Sequence, residues 1–376
     1  MSAPEQLWSD PRPPAGHAGA IEGLWRALAA ERLPHALLFC GPRGIGKFTA
    51  ARWFVRGLFC VRRDESTPAG PCGTCPPCKR LAAGSHPDLF VIEPDLADSE
   101  VLLLDRFVPR EKGGANAQEF LRLRPVEGGW RVVLVREMER TKAEAQNALL
   151  KMLEEPGENV LWILETSRPA ALLPTIHSRC VNVELAPLDR EDTREVLKRC
   201  GLPGADAAAL ARWSHGSPGQ AQALHARGAI AVRELLRAVL VGASAAFGAE
   251  PAARRVWSLE GAFEGKTTRA VERDRARFVL DLALAVVRDW MGAEAGVPED
   301  RLAHGDLTGE LLRGGGGTRR SRRILDSLLE ARRDVDLNVN PVSVLDLAFL
   351  ALEGRGPGAP AASSARAVPT QAGGPR

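Results

Sequence analysis

A chain of 376 residues is too long for one ordinary hydrophobic core, and its 45% apolar and 26% charged content is that of a globular protein. The formal net charge of +3 is too small to mark nucleic-acid binding by itself, and no run of about 18 apolar residues is available to span a membrane. Seven cysteines in a chain this long do not make a disulfide framework, and "MSAPEQLWSDPRPPAGHAGA" lacks the basic-then-apolar build of a secretory signal, so a cytoplasmic protein is expected.

The first informative stretch is "ALLFCGPRGIGKFTAARWFVRGLFC", residues 36–60. A short apolar run ends at Gly41, as a buried parallel strand would, and helical spacing resumes at Lys47. Strand, glycine loop and helix are the context that makes a phosphate loop credible, with Gly41, Gly44, Gly46 and Lys47 as the cradle. The next residue should be a metal-holding Ser or Thr, but it is Phe48. Thr49 is no replacement, because one residue along a helix is a rotation of about 100°.

"CGTCPPC" then sets Cys72, Cys75 and Cys78 at a spacing that turns three thiolates towards one ion. Structural Zn²⁺ takes four ligands. Cys60, at the end of the loop helix, is the chosen fourth and His86 the alternative; reduced, unligated thiols are the plain reading. Cys40, Cys180 and Cys200 are expected to pack.

Further strands are expected at 131–137, 159–166 and 180–185, with a helix in "TKAEAQNALLKMLEEPG" between the first two. The alternation predicts a parallel sheet covered on both faces. "VVLVREME" has the apolar strand of a Walker-B element, but Arg136 stands where the metal-holding Asp belongs, while Glu137 keeps the carboxylate position. An Arg there repels Mg²⁺. With two metal-holding positions lost, hydrolysis and Mg²⁺ are not expected. Retained ATP or ADP binding stays open beside the simpler reading, that the glycines survive for tight strand–helix packing.

After residue 186 strand-like runs disappear. The expected organisation is an α/β domain over 1–186 with a zinc-binding insertion at 60–78, a helical domain over 187–245, a helical C-terminal domain over 246–354 and a disordered tail over 355–376. "RGGGGTRRSRR" (313–323) reads as a flexible basic loop.

The segments "RLPHALLFCGPRGIGK", "CGTCPPC", "SHPDLFVIEP", "AQNALLKMLEEP" and "LLPTIHSRC" occur in the order and approximate spacing of bacterial clamp-loader subunits, and the chain resembles that family. The likeness is strong over 30–186, extends to "GSPGQA" (216–221) and is thin beyond, where "LNVNPVSVLDLAFLAL" resembles the family's final collar helix. It implies an AAA+ P-loop parallel-sheet domain, a small helical lid and an all-helical collar that oligomerises. Motor (tau/gamma) members keep Lys-Thr/Ser and Asp-Glu elements. The Lys47-Phe48 and Arg136-Glu137 pairs resemble the non-motor, delta-prime branch. The gap of eleven residues between Cys60 and Cys72 is longer than usual in the family.

The resemblance assigns Arg179, in "SRC", as an arginine finger that reaches a neighbour's ATP. Fingers of that kind are worth roughly 10³–10⁵ in rate. It makes Thr166 and Ser167 the sensor-1 position and Ser217 the start of the sensor-2 helix, with a possible N-cap role. It implies as partners the tau/gamma and delta subunits, and through the complex a sliding clamp and primer–template DNA. Arg124 faces either DNA or solvent. The alternatives are a tau/gamma-type ATPase motor and a free-standing zinc-containing nucleotide- or DNA-binding protein.

Overall fold

The computed structural model describes residues 12–62, 70–94, 102, 104–110, 114–127, 129–242, 252–314 and 317–354. The expected tail at 355–376 lies outside them. Five strands form one parallel sheet: β1 (Ala36–Cys40), β2 (Leu89–Ile92), β3 (Arg131–Val135), β4 (Val160–Thr166) and β5 (Val181–Glu184), in the order β2-β3-β4-β1-β5. β1, β3 and β4 are buried along their whole length, which is why their sequences run apolar without alternation. The pleat still sorts their side chains. Leu37 and Phe39 enter one apolar cluster with Ile21, Phe54 and Val55, while Ala36, Leu38 and Cys40 enter a second with Trp162, Phe107 and Leu149. Each fully buried Leu or Phe contributes roughly 1.5–3 kcal/mol.

Helices α1 (Ala18–Ala29), α2 (Lys47–Phe59), α3 (Pro76–Ala82), α4 (Ala117–Arg122), α5 (Ala143–Glu154) and α6 (Pro174–His177) accompany the strands. The segment before β3 is pinned by Asp88, which is 0% exposed and accepts from the N–H groups of Val126 and Glu127, both at 2.7 Å, and from Arg131 at 3.4 Å. Helices α7 (Arg190–Arg199), α8 (Gly204–Trp213) and α9 (Pro218–Ala226) follow. α7 is charged as its macrodipole favours: Asp189 caps the N-terminus, Glu191 and Asp192 lie in the first turn, and Lys198 and Arg199 in the last.

Compactness divides the chain into Met1–Ala223 and Leu224–Arg376, a boundary inside the segment expected as a separate helical domain. The second unit holds α10 (Ala229–Leu240), α11 (Ala252–Ser258), α12 (Thr268–Glu294), α13 (Gly305–Arg313), α14 (Gly317–Asp336) and α15 (Pro341–Leu352). Residues 219–242, helix-like in sequence throughout, form parts of two helices, broken at Gly228, whose φ of +75° is left-handed. The expected basic loop at 313–323 is corrected: Arg313 ends α13, and α14 is already helical from Gly317. Four glycines suggested a loop, but Thr318–Arg323 contains no helix breaker, and Ser321 and Ile324 are buried as the first inward residues of α14. Among the described residues no helix is long and apolar enough to cross a membrane.

Candidate functional site

The glycine loop follows β1 and runs into α2 with Gly41, Gly44 and Gly46 at φ +150°, +78° and +99°. These values exclude ordinary side chains, and at two positions space does so again. A Cβ on Gly41 would stand 2.3 Å from the Leu185 carbonyl oxygen, and one on Gly44 would stand 2.6 Å from Ser217 Oγ. The glycines are therefore needed for close packing inside this chain. Ser217 Oγ accepts from the Gln220 N–H (3.2 Å), capping α9, and donates to the Arg43 carbonyl (2.9 Å). The Gly219 N–H donates to the Gly44 carbonyl at 2.8 Å. The start of α9 thus lies on the loop, held by its backbone. His17, 3% exposed, lies beneath, with Nε2 2.8 Å from the Ile45 carbonyl oxygen, and burial lowers its pKa.

Among the described residues, the charged groups named here at the loop have partners within the chain. The side chain of Lys47 is 2% exposed; its Nζ donates to the Pro42 carbonyl (2.8 Å) and pairs with Glu165 (3.1 Å). The other Glu165 oxygen accepts from the Glu137 N–H at 3.0 Å. Glu137, at φ +51°, pairs with Arg140 and lies 3.7 Å from Arg43. Thr166 and Ser167 both donate to Glu139, Thr166 Oγ1 at 2.9 Å. Burial raises the Glu139 carboxyl pKa, but these donors outweigh it and the net shift is downward.

The two positions that depart from a working ATPase meet each other. The guanidinium of Arg136 lies 5.2 Å from the centre of the Phe48 ring, and that of Arg52 lies 5.3 Å from it. Arg136 also pairs with Glu93 at 3.3 Å. Burial lowers the Arg52 pKa to about 9, with Glu93 opposing. An aromatic face between two cations is a stable arrangement, and it occupies the space beside the loop with positive charge. Phe48 and Arg136 are thus one packed feature. Glu93, Glu139, Glu165 and His17 were not legible as site residues, because each acts through a partner distant in sequence.

The second assembly is built at the end of α2 and the start of α3. The sulfurs of Cys60, Cys72, Cys75 and Cys78 all lie within 4.8 Å of one another. Cys60 Sγ and Cys75 Sγ are 3.8 Å apart, close to the edge of a tetrahedron with metal–sulfur bonds of about 2.3 Å. The Cys72 N–H points at Cys60 Sγ (3.3 Å) and the Cys75 N–H at Cys72 Sγ (3.4 Å), the donors a thiolate wants. At Cys72 burial acts to raise the pKa, but donors from Thr74 and Cys75 bring it down to about 6. The four thiols form a group that could hold a metal ion. His86 is engaged elsewhere: its ring lies against Phe59, centroids 4.2 Å apart, and its Nδ1 accepts from the Asp88 N–H. Cys40 packs in the sheet core, and Cys180 lies beside the same cluster, while Cys200 is exposed.

Arg179 is not near the loop. It directly precedes the β5 segment, whose Val181 and Glu184 pair with Leu37 and Cys40 of β1. Three residues of strand are about 10 Å, so Arg179 lies beyond the far end of β5 from the glycine loop. Its guanidinium pairs with Glu154, at the end of α5, and donates to the Thr175 carbonyl at 2.9 Å. Arg124 is exposed.

Residues 16–189 match the model of the family described as DNA polymerase III, delta subunit. The DNA polymerase III subunit delta′ of Pseudomonas aeruginosa is 38% identical over 225 residues, 59% of this chain and 64% of that protein. The delta′ subunit of Bacillus subtilis is 33% identical over 165 residues, 44% and 46% of the two chains. The tau/gamma subunit of Haemophilus influenzae is 36% identical over 208 residues, 54% and 28% of the two. The chain spans less than two thirds of the length of each of these relatives. A solved gamma subunit-related protein from Thermotoga maritima overlaps 89% of this chain and 99% of its own, at 18% identity and a TM-score of 0.38, too loose to carry weight. On the sequence matches, residues 16–189, just under half of the chain, are similar to DNA polymerase III clamp-loader subunits.

Proposed function

We propose that the chain is a non-hydrolysing, delta-prime-type clamp-loader subunit whose chemical contribution is Arg179, offered to the ATP of a neighbouring tau/gamma subunit. The observation that carries this reading is the separation of the two features. The glycine loop has its charges matched at home, while Arg179 stands half-exposed at the opposite end of β5, where its own loop is out of reach. A guanidinium stabilises charge on a transferring phosphoryl group and cannot be deprotonated. The Glu154 contact is no obstacle: with 31% and 46% of the two side chains exposed, it is a surface pair worth about 1 kcal/mol or less.

In this reading residues 1–186 are the AAA+ domain, 187–245 its lid and 246–354 the collar. Leu337, Leu347 and Leu350, 65%, 59% and 40% exposed, support an oligomerising role for the last of these. The four cysteines hold a structural Zn²⁺, since four sulfurs leave no position for water and no chemistry at the metal. The other partners are the delta subunit and, through the complex, the sliding clamp and primed DNA, in the cytoplasm. The self-matched loop favours this reading over a tau/gamma-type motor.

The test is a complex reconstituted with tau/gamma and delta, its ATPase measured with clamp and primed DNA. Arg179→Ala is expected to slow the completed site on the order of 10³-fold, with no rescue by Arg179→Lys and no change in complex size by gel filtration. An unchanged rate would overturn the finger. Mg²⁺-dependent turnover by the isolated chain, abolished by Lys47→Ala, would overturn the non-hydrolysing reading.

A further inference from the structure

The charge pattern of α14 breaks a rule that α7 obeys. α7 begins with acids and ends with bases, whereas α14 has no acidic residue in its first turn. Instead Arg319, Arg320, Arg322 and Arg323 follow its first two residues, and Arg313 closes the helix before it. The N-terminus of a helix is its positive end, so the helix's own field repels these cations.

Their placement is specific. Ser321, Ile324, Leu328, Ala331 and Val335 are the buried stripe of α14. At about 100° per residue, Arg319, Arg322 and Arg323 lie on the opposite side. Those three and Arg313 are exposed, and among the described residues no ion pair holds any of them. Only Arg320 turns inward, donating to the Leu240 carbonyl at 2.8 Å and lying over the Trp290 ring. Of the nearby acids, Asp306 pairs with Arg233 and Glu310 with Arg237, Glu294 lies on the inward side, where it accepts from the buried Ser321, and Asp326 and Glu330 stand one and two turns further along the outer face.

We infer that the exposed arginines at the end of α13 and the start of α14, Arg313, Arg319, Arg322 and Arg323, form a surface that binds the phosphate backbone of nucleic acid. A charge run of this kind is ordinarily a solvated face, but solvation alone does not call for Arg319, Arg322 and Arg323 at the end of a helix that repels them. Guanidinium forks match phosphate bidentately. Residues 305–336 contain no Phe, Tyr or Trp, so bases have no platform on which to stack and the contact is to the backbone, independent of sequence. The clamp-loading reading is used only to choose nucleic acid as the source of the phosphates.

The experiment uses the full chain alone and a fluorescent primer–template oligonucleotide, with affinity followed by anisotropy between 25 and 200 mM salt. Wild type is expected to bind at the low end with a steep salt dependence. Combining Arg313→Gln, Arg319→Gln, Arg322→Gln and Arg323→Gln should weaken binding at least about 10-fold and flatten the log–log salt slope by about 3.6, from roughly 0.9 for each of the four lost contacts. The corresponding four Arg→Lys changes should keep the slope. Circular dichroism and melting should be unchanged in both sets. No binding by wild type at 25 mM, or an unchanged slope in the Gln set, overturns the proposal. So does a Gln set that binds DNA normally but loses assembly with tau/gamma and delta, or loses capture by phosphatidylglycerol vesicles. Assembly and its ATPase are measured separately, so the arginine surface can fail while the clamp-loader reading holds, and the reverse.

Discussion

The glycine loop and the cysteine cluster each preserve a ligand-binding motif, but they differ in what has become of the binding groups. Around the loop, Lys47, Glu137, Thr166 and Ser167 are all taken by side chains or carbonyls of the same chain. In the cluster, four sulfurs converge on one another, and those of Cys60 and Cys72 receive backbone N–H groups. The loop has been closed by its own protein, while the four ligand atoms of the cluster face one another. A motif therefore reports a backbone shape; whether it reports a ligand depends on where its polar atoms find partners.

That contrast can be broken at several points. The largest effect is expected at the cysteines. Cys78→Ser should remove most of a bound metal found at about one per chain, and lower the unfolding free energy by about 5 kcal/mol. This is less than the ~10–16 kcal/mol of zinc-finger peptides, because a large core remains. Metal analysis and urea melts decide it, and wild-type protein without metal would make the cluster as self-contained as the loop. Next comes Lys47→Met, which leaves Glu165 buried without its cation. A loss of ~3–5 kcal/mol is expected, largely recovered in Lys47→Met with Glu165→Gln. Unchanged stability with lost nucleotide binding would return the loop to the ligand sites. Gly44→Ala should cost roughly 1–3 kcal/mol through its positive φ and the approach of Ser217. The smallest expected effect is Phe48→Thr, which should bring no Mg²⁺-dependent phosphate release, because Arg136 and Arg52 still oppose a metal.

Much of the sheet was legible because its signals are local. Continuous apolar runs marked β1, β3, β4 and β5 to within two residues, and the glycine loop located the start of α2. β2 was not read as a strand: "LFVI" is four residues at the sheet's edge and mostly half-buried, too short for a periodic signal. The site was legible where motif and chemistry coincide, as at Phe48, Arg136 and the cysteines. It was not legible at Glu139 and Glu165, whose roles come from partners 27 and 118 residues away. Nor was α14, where four glycines outweighed six helix-compatible residues.

The contact of Ser217 and Gly219 with the loop also bears on timing. In a subunit that opens and shuts around nucleotide, the lid's position reports whether fuel is bound. Here the start of α9, which the proposed function places in the lid, is fastened by two hydrogen bonds to loop carbonyls, at 2.9 and 2.8 Å, that ask nothing of a nucleotide. In a ring of moving members, such a subunit would keep no clock of its own. It would be the fixed seat against which its neighbours' strokes are measured.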